Sequence, residues 1–220
     1  MNITFEQIKN NDDIKTYITK ADASLKALGY TEHSFAHVGR VSTDAAYILD
    51  TLGFDARTVE LSRIAGYLHD IGNLVNRVDH SQSGAVMAFR ILDKLGMPAD
   101  EIATVVTAIG NHDEGTGVPV NAVAAALIIA DKCDVRRTRV RNQHPDSFDI
   151  HDRVNYSVED SSLKINPEKT RVTLELVIDH EISAVMDYFQ IFLGRMQMAK
   201  SAAGSLDLDF SLVINGQKLL

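Results

Sequence analysis

Apolar residues recur at intervals of three and four through the first two-thirds of the chain, and this spacing confines that part to helices packed by one face. In "TEHSFAHVGRVSTDAAYILDTLG", residues 31–53, the side chains of Phe35, Val38, Val41, Ala45, Ile48, Leu49 and Leu52 fall on one stripe, and Gly53 supplies a stop. Thr4 followed by Gln7 has the form of a capping box, opening a helix that ends near Gly29. The same reading predicts helices from Ala56 to the His69-Asp70 pair, from Ser81 to Leu95 ahead of Gly96, from Pro98 to Ile109, and from Pro119 to Asp131. That makes six.

The pattern changes after the basic run "RRTRVRNQHPDSFD", residues 136–149. "RVNYSVEDSSLKIN" and "TRVTLELVID" alternate apolar and polar residues with turn formers between them, as a hairpin does. "HEISAVMDYFQIFLGRMQMAKSAA" returns to helical spacing, and "LDLDFSLVINGQKLL" alternates again. The expected fold is therefore mainly α, a helical bundle over residues 1–141 with a small C-terminal α+β extension (strand, strand, helix, strand) over residues 150–220. The boundary falls near residues 142–150, and the two parts can share one core. No internal repeat or low-complexity segment interrupts the chain.

At 220 residues and 45% hydrophobic, the chain is long enough to bury a real core. A net charge of -8 opposes broad binding to nucleic acid, because a polyphosphate partner needs a positive field. Any phosphate recognition must be local. The single cysteine, Cys133, excludes an internal disulfide framework and suits a reducing compartment; it reads as a small buried apolar residue. "MNITFEQIKNNDDIKTY" has neither a basic nor an apolar signal region, and the longest apolar run, "AVAAALIIA" from Ala122, is too short to span a bilayer. A cytoplasmic protein with no membrane partner is expected.

Polar residues stand where the helical pattern predicts core or helix ends. His37 lies in the second helix, His69 and Asp70 end the third, His80 precedes the fourth, His112 ends the fifth and Asp131 ends the sixth. A single buried histidine or aspartate is ordinarily a hydrogen-bonded structural residue. Six of them, one or two from every helix after the first, form a set. Imidazoles and carboxylates without a thiolate suit Fe, Mn, Zn or Mg rather than a thiolate-type zinc site, and the inventory is enough for two ions.

The strings "HVGRV" around His37, "LHDIGN" around His69, "NHD" around His112 and "ADK" around Asp131 occur in an order that resembles the HD-domain superfamily of metal-dependent phosphohydrolases. The resemblance covers about Glu32 to Arg141. It implies that His37, His69 and Asp131 hold one ion, that His80 and His112 hold a second, and that Asp70 bridges both and is catalytic. It further implies a bridging hydroxide that attacks a phosphate ester. The substrate expected is a small phosphorylated metabolite or nucleotide rather than a long nucleic acid. Where many phosphodiesterase members have lysine after HD-x-G, this chain has Asn73, an amide in place of a positive charge.

Weaker candidates flank the set. Lys132, beside Asp131, and Arg137, in the run Arg136, Arg137, Arg139 and Arg141, are the residues expected to touch substrate; the alternative for the run is a solvated face or salt bridges. His33, one turn before His37, reads as a ligand or phosphate contact, and Asp113 as a partner for the His112 ring or a plain helix-end residue. Two other functional readings remain open. One is a di-iron oxygenase resembling inositol oxygenase, with the same ligand order; the other is a noncatalytic ligand sensor. The alternating strand "DFSLVIN" offers an edge to a second copy, so a homodimer is expected.

Overall fold

The computed structural model describes residues 3–220; Met1 and Asn2, which begin both the expected helical domain and the stretch read for an export signal, lie outside it. The chain opens with α1 (Phe5–Asn10) and α2 (Asp12–Ala27). The capping box of Thr4 and Gln7 forms as expected, but the single helix predicted as far as Gly29 is two. Asn11 breaks it. Its backbone is extended and its side-chain oxygen accepts the Ile14 amide, so it caps a new helix whose first turn carries Asp12 and Asp13.

The next five helices follow the predicted order: α3 (Phe35–Leu52), α4 (Ala56–Leu68), α5 (His80–Leu95), α6 (Ala99–Gly110) and α7 (Ala122–Lys132). Gly53 and Gly96 end α3 and α5 in the left-handed conformation that favours glycine. Every residue of α7 from Val123 to Lys132 is buried. A helix apolar on all sides belongs at the centre, and α3, α4 and α6 pack around α7.

A short 3-10 turn, Ile71–Leu74, links α4 to α5 and is pressed against both α2 and α5. A Cβ placed on Gly72 in this turn would lie 2.0 Å from the His80 carbonyl oxygen and 2.4 Å from the Gly84 amide nitrogen. Only glycine fits there. The glycine of "HDIGN" thus sets how close α5, and His80 at its start, can come to the end of α4.

Residues 153–157 of the expected first strand belong instead to α8 (Ile150–Ser157), a short helix capped by Asp149, whose side chain accepts the Asp152 amide. The sheet runs in the order β1 (Val158–Ile165), β2 (Arg171–Ile178), β3 (Asp209–Ile214) and β4 (Gln217–Lys218). β1 and β2 form the predicted hairpin, β2 and β3 run parallel with α9 (Val185–Gly204) between them in sequence, and β3 turns back into β4. Asn215 and Gly216 both have positive φ, 50° and 76°, the turn that splits the last predicted strand in two. β3 therefore lies inside the sheet, not at an edge as the homodimer expectation supposed. The outer edge of β1 is covered by α3, where Arg40 donates to the Ser161 carbonyl at 2.8 Å and the Tyr47 hydroxyl accepts the Ile165 amide at 3.1 Å.

Both parts share one hydrophobic core. Buried residues of the sheet and of α9, among them Leu174, Leu212, Tyr188 and Met196, belong to the same cluster as Leu49, Leu68 and Ile128 of the helical part. The join is α9, which packs directly on α7. Among the described residues no helix is long and apolar enough to cross a membrane.

Candidate metal centre

Elements far apart in sequence deliver six side chains to one point. His37 comes from α3, His69 and Asp70 from the end of α4, His80 from the first position of α5, His112 from just beyond α6 and Asp131 from the last turn of α7. All six are buried. Their ligand atoms group as His37, His69 and Asp70; as His69, His112 and Asp131; and as Asp70, His80 and His112.

Asp70 faces two ways. Its Oδ2 lies 3.5 Å from His37 Nε2 and 3.3 Å from His69 Nε2, while its Oδ1 lies 3.4 Å from His80 Nε2. Asp131 Oδ1 completes the first group at 3.3 Å from His37 Nε2 and 3.6 Å from His69 Nε2. His112 Nε2 completes the second at 3.1 Å from His80 Nε2. Donors about 2.1 Å from a common ion and at tetrahedral or octahedral angles stand about 3.0–3.4 Å from each other. The observed separations are of that size.

The far nitrogen of each imidazole is occupied. Nδ1 of His69 contacts the Gly66 carbonyl at 2.8 Å, that of His80 the Arg77 carbonyl at 3.1 Å and that of His112 the Ile109 carbonyl at 2.6 Å, each three residues back. For His69 and His112 these are carbonyls of a last helical turn, which lack an intrahelical partner. Nδ1 of His37 instead meets the Asp134 carboxylate at 2.7 Å. Since only N–H can donate to these oxygens, each ring when neutral presents Nε2 to the centre as a lone pair.

Lone pairs facing one another at 3.1 and 3.3 Å require a positive charge between them. The carboxylates state the same need. Burial alone would push Asp70 and Asp131 up, but the His69 charge and the His37 contact outweigh it at Asp70, and Lys132 and the same imidazoles do so at Asp131, holding both well below the usual carboxylate range. Burial likewise opposes a proton on His69, yet Asp70 and Asp131 push it up to about 10. Without a metal, a proton on His69 is held where a cation belongs. Burial, reinforced by His69 and Lys132, drives His112 well below its ordinary value and keeps its ring neutral, the form that can ligate a metal. The donor set fits divalent metal.

A family model for the HD domain matches residues 34–136, a span that contains all six side chains. Residues 34–136 are similar to an HD domain. Over 202 residues the chain is 24% identical to the uncharacterized protein MJ1020 of Methanocaldococcus jannaschii, a match that covers 80% of this chain and 76% of the relative. A crystal structure of a predicted HD superfamily hydrolase from an uncultured Thermotogales bacterium aligns over 56% of this chain and 67% of its own, with a TM-score of 0.45 and 26% identity.

A cavity of about 540 Å³ opens over the centre. Asp70, His80, His112 and Asp131 form part of its lining, and α9 contributes Phe192 and Arg195 from outside the matched span. Lys132 lines it too, with Nζ 2.7 Å from Asp131 Oδ2 and 3.2 Å from Glu114 Oε2. Arg137 does not. Its guanidinium stacks over the Tyr156 ring at 4.7 Å and donates to the Tyr156 carbonyl, which holds it away from the centre. The other members of the basic run are ion-paired, Arg136 with Asp134 and Glu32, Arg139 with Asp134, and Arg141 with Asp22. His33 borders the cavity with Nδ1 on the Thr31 carbonyl at 2.7 Å. Asp113 does not fix His112, whose Nδ1 is taken by Ile109; its Oδ1 lies 4.0 Å from His80 Nε2.

Sequence reasoning missed Asp134, Arg77 and Arg195. Asp134 is fully buried, and Arg136, Arg139 and His37 hold its carboxyl far below the usual range despite burial. The second aspartate in "ADKCD", one turn past Asp131, was its only signal. Because it orients His37, Asp134→Asn is expected to weaken metal binding about 10- to 100-fold, read by chelator competition. It should also lower folding stability by about 3 kcal/mol, since it breaks a buried charge network. Metal affinity equal to that of the parent would show that Asp134 serves the fold alone.

Proposed function

We propose that this chain is a two-metal hydrolase of small phosphate esters. The reading is carried by the two oxygens of Asp70, which face two different imidazole groups. Divalent ions bound there would lower the pKa of water and neutralise charge gathering on a phosphoryl group. In the hydrolysis itself, the oxygen of water would bond to phosphorus as the bond from phosphorus to the ester oxygen breaks, one water proton staying with the phosphate and the other ending on the departing oxygen to give the alcohol.

The protein's own part is to hold this arrangement rigid. Asp70 spans the two groups, Asn73 donates to its Oδ1 at 2.9 Å and to its backbone carbonyl at 2.9 Å, and Lys132 fixes the second oxygen of Asp131. The Asn73 amide, at the position where many phosphodiesterase members have lysine, thus steadies the carboxylate of Asp70. A cavity of about 540 Å³ suits a small ligand such as a nucleotide or phosphorylated metabolite, and the net charge of -8 opposes a polymer.

The test is metal analysis of protein purified without chelator, paired with hydrolysis of a panel of aryl phosphate monoesters and diesters. Near two ions per chain with turnover that chelation abolishes is the expected result. Two irons with oxygen consumption and no hydrolysis would replace this reading by the oxygenase, and a metal-free, inactive chain would replace it by the ligand sensor.

A further inference from the structure

The phosphoryl group expected under the function proposed above needs a cation beyond the metals, and the position after HD-x-G does not provide one. Asn73 is neutral, buried and committed to Asp70. Four residues further on, beyond the 3-10 turn, Arg77 comes back to the same place. Its Nη1 lies 3.3 Å from Asn73 Oδ1, 3.4 Å from His80 Nε2 and 3.9 Å from Asp70 Oδ1.

Four cationic side chains line the cavity, and three are already engaged. Lys132 sits between Asp131 and Glu114 at 2.7 and 3.2 Å. Arg195 lies 3.1 Å from Glu114 Oε1 and donates to the Asp131 carbonyl at 3.3 Å. Arg139 is buried, with backbone carbonyls at 2.9 and 3.0 Å. Arg77 differs. Its side chain is 30% exposed, its nearest carboxylate oxygen is 3.9 Å away, and among the described residues its Nε and Nη2 make no hydrogen bond. The Nη1 contact to His80 Nε2 uses the same lone pair that a metal would take.

The guanidinium is nevertheless held in position. It lies over the Tyr30 ring at 5.6 Å, and its backbone carbonyl accepts His80 Nδ1 at 3.1 Å. Asp79, between Arg77 and His80, adopts φ 55°, so the chain turns sharply and brings both residues to the same side of the centre. Arg77 therefore orients a metal-ligand candidate through its carbonyl and carries a charge with free donors beside it.

We propose that Arg77 binds the non-bridging oxygens of the substrate phosphoryl group on the His80 side of the centre, supplying the charge that Asn73 lacks. A planar guanidinium with unused N–H groups matches two oxygens of one phosphate. The inference rests on the phosphate-ester reading, and its test separates the two.

Inorganic phosphate is the probe. Its affinity for manganese-loaded protein is measured by titration calorimetry in the parent, Arg77→Gln and Arg77→Lys, alongside metal content and kcat/KM for an aryl phosphate. The expected result is a 10- to 100-fold weaker phosphate affinity in Arg77→Gln, about the worth of a charge-assisted hydrogen bond, with metal content unchanged and partial rescue in Arg77→Lys. Equal phosphate affinity in all three proteins, with the parent hydrolysing esters, would overturn the role of Arg77 and leave the function standing. Arg77-dependent phosphate binding without any hydrolysis would keep the contact and overturn the function. Loss of metal in both variants would overturn the proposal by reducing Arg77 to support for His80.

Discussion

Asp70→Ala empties the whole centre, whereas His80→Ala empties half of it. This contrast is the largest effect the structure predicts, because Asp70 Oδ2 and Oδ1 serve different imidazole groups while His80 faces only one of the two Asp70 oxygens. Metal analysis should give close to zero ions per chain for Asp70→Ala and close to one for His80→Ala. Hydrolysis by Asp70→Ala should fall by more than the about 10²- to 10³-fold typical of deleting one charge-stabilising group. Asp70→Asn keeps the volume and removes the charge, so its metal loss should match that of Asp70→Ala. A helical circular dichroism spectrum retained in each variant isolates the metal effect from unfolding. Two ions and full turnover in Asp70→Ala would reject the bridged arrangement.

The second large effect needs no change to any ligand. Gly72→Ala would place a methyl group 2.0 Å from the His80 carbonyl oxygen and 2.4 Å from the Gly84 amide nitrogen, both backbone atoms that cannot swing aside. The 3-10 turn and the start of α5 must separate. Overpacking of well-packed interiors commonly costs about 1–3 kcal/mol, and a clash with backbone belongs at or above the top of that range. For a domain of this size the melting temperature should fall by about 6–12 °C. His80 moves with α5, so the second metal group should weaken along with the fold. A melting curve that coincides with the parent's would mean that the turn yields freely and does not set the position of His80.

Much of the centre was legible because its residues break a pattern. Histidine and aspartate at the ends of apolar helical stripes are visible against the periodicity, and the glycines and prolines that end those stripes place them at neighbouring helix termini. What could not be read was distance between segments far apart in sequence. Arg195 sits on α9 and reaches the Asp131 carbonyl, yet nothing near it in the chain marks it for the site. Arg137 shows the converse, since a basic residue close in sequence to Asp131 is turned away by stacking on Tyr156.

Local chemistry set the other limits on the fold reading. A side-chain cap at Asn11 divides a helix whose apolar spacing continues across the break, and Asp149 starts a helix too short for periodicity to declare. The Asn215-Gly216 turn hides inside an alternating run because alternation continues on both sides. In each case the deciding interaction is a single hydrogen bond or backbone angle, which spacing does not register.

The packing of α7 bears on how such a chain is inherited. This helix is buried on every side, and one of those sides is covered by α9, beyond the end of the matched span at residue 136. A gene fragment copied or fused at that boundary would carry every metal-ligand candidate and leave its central helix bare along one flank. The span matched by the family model is thus shorter than the packed unit, and recombination that keeps this core intact must move α9 together with the metal-ligand candidates.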